Sequence, residues 1–235
     1  MKIKPLKGSV FNLPINSSGD ASSYDYIQFA EFGHAQDEQT KKKKSSNYVK
    51  MNIDIDATPD ALVNIILDQN TQEQIVARGN GNLNLNIDLG NTMTMTGAYV
   101  ISEGKYNFNF RGVLPRIFDI SDGSKVTWSG DPLDAKVDIS AIFQAQKPLA
   151  LYNLINQSTQ PLEGTDLAEA KKTYKTFVPI TLSGSLGAPE IKFDITQPDN
   201  KAVGTPGYIA LENLRKNENE LFSQAGVILL LGDFK

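Results

Sequence analysis

Along most of the chain, apolar and polar residues alternate one for one. Phe11, Leu13 and Ile15 are separated by Asn12 and Pro14. Met51, Ile53, Ile55 and Ala57 are separated by Asn52, Asp54 and Asp56, and Leu83, Leu85, Ile87 and Leu89 by Asn84, Asn86 and Asp88. The pattern returns at Met93 and Met95 among Thr92, Thr94 and Thr96, and at Tyr106, Phe108 and Phe110 around Asn107 and Asn109. It continues through Ala135, Val137, Ile139, Ala141 and Phe143, through Val178, Ile180 and Leu182, and through Ile191, Phe193 and Ile195. Successive side chains of a strand point to opposite faces, so each segment predicts a strand with one apolar and one wet face. Parallel strands covered on both sides would read as continuous apolar runs. The expectation is therefore a mainly β chain with an antiparallel sheet.

Turn residues separate these segments. Asn80-Gly81, Glu103-Gly104, Asp122-Gly123, Ser129-Gly130-Asp131-Pro132 and Gly187-Ala188-Pro189 read as turns. The short spans from Leu89 to Met93 and from Ile101 to Tyr106 read as hairpin connections between sequence neighbours. Three stretches break the alternation. Residues 34–47, with Lys41 to Lys44 in a row, predict a polar loop, with a basic patch touching anionic lipid as the alternative. In residues 147–175, Leu149, Leu151, Leu154 and Ile155, then Leu167, Ala168 and Ala170, predict short helices flanking a loop at Pro161. Residues 208–231 read as helix: Leu211, Leu214, Leu221, Phe222 and Ala225 form a stripe, and Glu212 and Lys216 an i,i+4 pair. The run from Val227 to Leu231 is apolar on every side, which predicts burial.

The chain has 235 residues, enough for one large β domain or two small ones, and enough to bury a core without disulfides or metals. With no cysteine and His34 as the one histidine, cysteine nucleophiles, Cys-ligated zinc and multi-histidine metal sites are excluded. A net charge of −4 argues against a nucleic-acid binder, which needs a basic face. No apolar run is long enough for a membrane-spanning helix, and the start of the chain lacks the apolar core of a signal peptide. Met1 leads directly into strand text and Phe234-Lys235 follows an apolar run, which suggests a segment of a longer protein. Gly79-Asn80-Gly81 opens like a dinucleotide fingerprint but precedes a strand, so its glycines read as turn residues. Asp54 and Asp56 read as a solvated strand face, and Asp119, Asp122, Asp131 and Asp134 as turn caps. Asn16-Ser17-Ser18 and Asn156-Gln157-Ser158 match glycosylation sequons, which count only in a secreted eukaryotic protein. Nothing supplies an activated nucleophile or an acid/base pair, so the chain does not read as an enzyme.

A more specific signal runs from Gly79 to Phe234. It comprises Gly97-Ala98-Tyr99-Val100-Ile101, Gly104-Lys105-Tyr106-Asn107-Phe108 and Phe118-Asp119-Ile120. The stretch Gly123-Ser124-Lys125-Val126-Thr127-Trp128-Ser129-Gly130-Asp131-Pro132 and the following Asp134-Ala135 are its most distinctive part. Leu182-Ser183-Gly184-Ser185-Leu186, Pro189-Glu190-Ile191-Lys192-Phe193 and a tail with Asn217 to Leu221, Gln224 and Leu229 to Phe234 complete it. This text resembles the C-terminal domain (DUF490) of the TamB family of the translocation and assembly module. The first 78 residues carry only generic strand alternation.

The resemblance implies an envelope protein anchored in the inner membrane of a Gram-negative bacterium, with this part in the periplasm. It implies a curved antiparallel sheet folded into a U-shaped trough with an apolar interior, plus one or two short helices. On that reading residues 1–235 form a single β-trough. Residues 1–78 contribute N-terminal strands with the polar loop 34–47, and residues 79–235 the TamB-like domain with an insertion at 147–175. The groove would be lined by Leu83, Leu85, Ile87, Met93, Met95, Tyr106, Phe108, Phe110, Val137, Ile139, Phe143, Val178, Ile180, Leu182, Ile191 and Phe193. Leu221, Phe222, Ala225, Val227 and Leu229 would cap its end and meet a partner. Implied partners are an Omp85-family outer-membrane protein resembling TamA, and phospholipids or nascent outer-membrane proteins as cargo; no cofactor is implied. About ten strands would give a trough roughly 50 Å long. A closed β-sandwich and a transmembrane β-barrel are the competing architectures.

Overall fold

The computed structural model describes residues 1–14, 50–88, 92–110, 112, 114–155, 162–200 and 203–231. Ile15, His34, the Lys41–Lys44 run, both sequons, Leu89 and the segment 232–235 lie outside them.

Two long antiparallel strands organise the sheet: β5 (Glu73–Asp88) and β6 (Thr92–Phe110), paired from Gln74↔Asn107 to Asp88↔Thr92. The other edge of each is shared by two shorter strands. β4 (Leu62–Asp68) takes the first half of β5, and β3 (Lys50–Ala57) takes the second. Similarly, β7 (Leu114–Ile120) pairs with Gly104–Phe110 of β6, and β8 (Lys125–Gly130) with Met95–Val100. β1 (Lys2–Ile3) and β2 (Val10–Pro14) then lie beside β3 and β4, and β9 (Lys136–Gln144) pairs with both β8 and β7. β12 (Phe177–Ser185) and β13 (Ala188–Phe193) finish the sheet. The short strands are thus half-rungs, each pair a single long rung interrupted in the middle. The continuous path runs through eight strands, β1-β3-β5-β6-β7-β9-β12-β13. At roughly 4.8 Å per spacing this makes the ladder about 34 Å long, shorter than a count of separate strands suggests.

The interruptions align into a crease that crosses the sheet. At the corner of each rung the backbone leaves the ladder and its polar groups find partners on the next rung. Gly8 N donates to Asp60 O (3.2 Å), and Arg78 Nη1 donates to the carbonyls of Pro59 (2.9 Å) and Asp60 (3.1 Å). Ser102 Oγ donates to Arg78 O (3.1 Å), and Ile101 N to Ser124 O (2.7 Å). Ser124, buried, accepts from Ser140 N through its hydroxyl (3.1 Å), while Ser121 N donates to Ser140 O (2.8 Å). Backbone groups taken from water must be paired, and this seam does that from the N-terminal rung to β9.

The crease corrects two expectations. Ile101–Tyr106 is not a hairpin turn: β6 runs straight through it, with Ser102 as a bulge where Glu103 faces Arg78 and Ile101 faces Gly79. The bulge moves the inward positions from odd (Met95, Tyr99, Ile101) to even (Tyr106, Phe108, Phe110), as a one-residue insertion must. Nor are Gly79 and Gly81 turn residues. They lie within β5, where a side chain at Gly79 would stand 2.1 Å from Val100 O and one at Gly81 2.3 Å from Ala98 O. Glycine is required by that close approach of two backbones.

The sheet is mixed rather than wholly antiparallel. β1 and β3 are parallel, as are β2 and β4. Those edge strands still alternate, since one face remains wet. The sheet also curls along its ladder. β6 and β13 are separated by β7, β9 and β12, about 19 Å on a flat sheet, yet the rings of Phe108 and Phe193 are 6.0 Å apart. Both edges remain open among the described strands, unlike a closed transmembrane barrel.

Helices are more numerous than the one or two expected. The 147–175 insertion holds α1 (Leu151–Ile155) and α2 (Gly164–Ala170) above a two-stranded ribbon of β10 (Leu149–Ala150) and β11 (Thr173–Tyr174). The C-terminal segment is two helices, α3 (Pro206–Leu214) and α4 (Glu218–Leu231), instead of one. Thr205 Oγ1 caps α3 by accepting from Tyr208 N, and Asn217 Oδ1 caps α4 by accepting from Glu220 N. Glu212 pairs with Arg215 (2.6 Å), three residues on, rather than with Lys216. Arg215 also donates to Ile195 O and meets Asp194, which pins the break to the sheet.

Ser124→Ala should destabilise the protein by about 1–3 kcal/mol, because it leaves the Ser140 N–H without its acceptor. Ser129→Ala, at an exposed position of β8, should stay within about 0.5 kcal/mol; urea unfolding of the two variants distinguishes them.

Candidate functional site

The inner face of the sheet is continuous apolar surface whose exposure is graded. Next to the crease and toward β12 it is closed: Ile75, Ile101, Tyr106, Phe118, Val126, Ile139, Val178, Ile180 and Leu182 are fully buried, and Val137 and Phe143 nearly so. Away from the crease, on the half made by β3, the end of β5 and the start of β6, it opens. Leu83, Leu85, Ile87 and Met93 are half-buried, Met95 is buried, and Met51 in the neighbouring strand is 36% exposed. Ile191 and Phe193 are half-buried on β13.

The opposite half of the rungs is closed by an aromatic cluster and by α4. Tyr106, Phe108, Phe110 and Phe118 pack ring against ring at 5.6 to 6.4 Å. Phe222 of α4 inserts between Phe110 (5.4 Å) and Phe193 (5.2 Å). Leu221, Ala225, Ile228 and Leu229 are buried on the same side. Gly226 makes the approach possible, because a side chain there would meet the Phe110 ring at 2.6 Å. Arg116 Nε donates to Leu229 O (2.6 Å), a cation on the last turn of a helix, which suits the macrodipole. Val227 departs from the expected cap: it is 39% exposed, and Leu230 44%, so only one side of the apolar run is covered.

Three ionisable groups, Glu73, Tyr106 and Tyr99, sit within this surface. The Tyr106 hydroxyl donates to Glu73 Oε1. Burial is the main cause lifting the Glu73 carboxyl above its ordinary range; the bond from Tyr106 opposes the rise and Asp68 adds to it. Burial, then the charge of Glu73 and the shared hydrogen bond, push the Tyr106 phenol far upward. Tyr99, whose hydroxyl is buried without a partner, is pushed up to about 12 by burial, with Arg78 opposing.

The outer face is polar, with a run of amides on β2 to β5. Asn52 Nδ2 donates to Asn84 (3.3 Å) and to Asn86, Asn84 Nδ2 donates to Asp54 (2.7 Å), and Asn64 Nδ2 to Asn12 (2.9 Å). Asp54 thus belongs to an amide ladder. No group of three or more His, Cys, Asp or Glu among the described residues could hold a metal.

Sequence reading missed Glu73, Arg116, Gly226 and the buried set Thr176, Gln197 and Asn200. Gln197 Nε2 donates to Leu149 O and Thr176 Oγ1 (both 2.9 Å), tying the helical insertion to the end of the sheet. Arg116 shares the inward parity of Phe118 and Ile120, so its charge concealed that β7 alternates.

A creased β-ladder with a graded apolar face defines a β-sheet structural module. The family model described as the TamB C-terminal domain matches residues 3–232, and the chain belongs to that family, the translocation and assembly module proteins of outer-membrane biogenesis. The match begins well before Gly79. Among curated proteins none matches the chain. Proteins of that family are non-catalytic scaffolds. No helix among the described residues is long and apolar enough to cross a membrane.

Gly226→Ala should cost about 1–3 kcal/mol by forcing α4 off the Phe110 ring; hydrogen exchange should rise in 218–231 and stay unchanged in the β5–β6 pair. Tyr99→Phe removes an unpartnered buried hydroxyl and should leave neutral-pH stability equal or higher. In the native protein the folded state keeps the Tyr99 proton after the unfolded chain has begun to lose it. Stability should therefore fall as pH rises from 10 to about 12. The Phe variant should lose less over that interval in parallel denaturant titrations.

Proposed function

We propose that the inner face is an apolar conduit within a U-shaped trough of a periplasm-spanning envelope protein, anchored elsewhere in its chain in the inner membrane. The open half, Met51, Leu83, Leu85, Ile87 and Met93, accepts the acyl chain of a phospholipid or an apolar strand of a nascent outer-membrane protein. The α4 half, with Val227 and Leu230 outward, faces an Omp85-family outer-membrane partner resembling TamA. The observation that carries this reading is the gradient itself. A closed sandwich would cover Met51 and its neighbours, and exposed apolar surface costs roughly 25 cal/mol per Å² unless something occupies it.

The sandwich and the conduit differ in what a charge does at the open half. Leu85→Arg should fold, because the guanidinium reaches water along the exposed side, and should abolish phospholipid retained by the purified protein in native mass spectrometry. A photo-crosslinker at Leu85 should label lipid in cells, and one at Asn84, on the outer face, should not. Equal labelling at both positions, or unfolding of Leu85→Arg, would favour a sealed core.

A further inference from the structure

On the outer face, at the tip of the half-rungs that α4 closes from inside, lies a cleft of about 640 Å³. Its floor is a row of amides: Gln74 faces Asn107 across β5 and β6, and Asn107 faces Ile117 across β6 and β7. One wall is the turn after β4, where Asn70 N and Thr71 N donate to Asp68 Oδ1 (2.8 and 3.4 Å) and Gln72 adopts φ 58°. Asn109 Nδ2 donates to Thr71 O (3.0 Å) and draws that turn over the sheet. Ile66 and Ile117 form the apolar sides, and Ile117 is 56% exposed.

Two atoms here lack partners. Asn109 Oδ1 and Thr71 Oγ1 are shielded from solvent yet receive no hydrogen bond. Leaving such acceptors unpaired is costly, so ligand N–H donors that reach them as the Thr71 turn shifts outward are favoured.

We propose that this cleft binds a neutral peptide segment in extended conformation, independently of what the inner face carries. The chemistry of the lining selects it. Amides both donate and accept, as a peptide main chain requires. Asn107 and Asn109 stand about 7 Å apart along one strand, the repeat of main-chain groups on one edge of an extended chain. From β4 to β7 the cleft is about 14 Å wide, room for one extended chain lying along β6 with its side chains toward both walls. Ile66 and Ile117 offer contact to small aliphatic side chains. Charged ligands find little here: the Arg116 guanidinium donates to Leu229 O and Pro115 O. A glycan would want an aromatic platform, and Phe108, the aromatic residue of the lining, turns its ring into the inner cluster.

The test uses the full chain and a fluorescein-labelled hexapeptide of alternating threonine and valine. Anisotropy should show saturable binding, and the side-chain amide signals of Asn107 and Asn109 should shift in nuclear magnetic resonance spectra. Asn109→Leu and Ile117→Lys should each weaken binding at least tenfold, and so should methylation of alternate peptide nitrogens. Ile142→Lys, on the same outer face beyond the cleft, should leave affinity unchanged. If Asn109→Leu loosens the turn and the fold, the surface change Ile117→Lys still decides. Absence of saturable binding, or an unaltered affinity in Ile117→Lys, overturns the proposal. So does maltotetraose shifting the same amide signals where the peptide does not.

Discussion

A β-strand cannot turn a sharp corner without surrendering ladder hydrogen bonds, and the long rungs of this protein turn at one shared line. Every other feature depends on how that line is satisfied. The most distinctive stretch of the sequence is the device that does so. Gly123 adopts φ 85°, which permits the corner, and Ser124 pairs with Ser140 on the next rung. Val126 and Trp128 then enter the core, and the indole N–H of Trp128 donates to Pro132 O, 3.2 Å away, fixing the turn that starts the following strand. The spacing of glycine, serine, tryptophan and proline follows from one corner and the return from it. No binding role is needed to account for it.

Because the crease divides each rung, the two halves of the inner face have separate fates. One is sealed by interlocked rings and by a helix admitted through the missing side chain of Gly226. The other has half-buried leucines and methionines and, among the described residues, no helix over it. The two halves have the same alternation and nearly the same hydrophobicity. What differs is the company each keeps, namely α4 for one and an edge rung for the other.

Alternation alone identified the strand faces correctly wherever a rung was regular, as in β3, β9 and β12. It also placed helices in 147–175 and near the C-terminus. It failed at the crease for a physical reason. A glycine pair such as Gly79 and Gly81 has the same text whether it makes a turn or lets two backbones approach, and only the neighbouring strand decides. The change of phase between Ile101 and Tyr106 was a legible sign of a bulge, since a turn would not need the two inward sets to differ by one position. Arg116 and Glu73 were hidden because charges on an inward face look like wet positions until their partners, a helix carbonyl and a buried phenol, are known. The parallel edge pairing was invisible, since alternation reads the same in a parallel edge strand with one wet face as in an antiparallel one.

That edge pairing governs the order in which the molecule assembles. β5 and β6 adjoin in sequence, so their union closes a short loop, and the corner between β7 and β8 lies only a few residues further along. The β1–β3 pairing must first close a loop of about fifty residues, a larger entropy loss that parallel strands recover late. The ladder therefore grows outward from its longest hairpin, and the N-terminal rung is the last to join and the first to leave. A sheet built in that order has a firm middle and a loose margin, and thermal fluctuation will part it along the β1–β3 boundary well before the crease gives way.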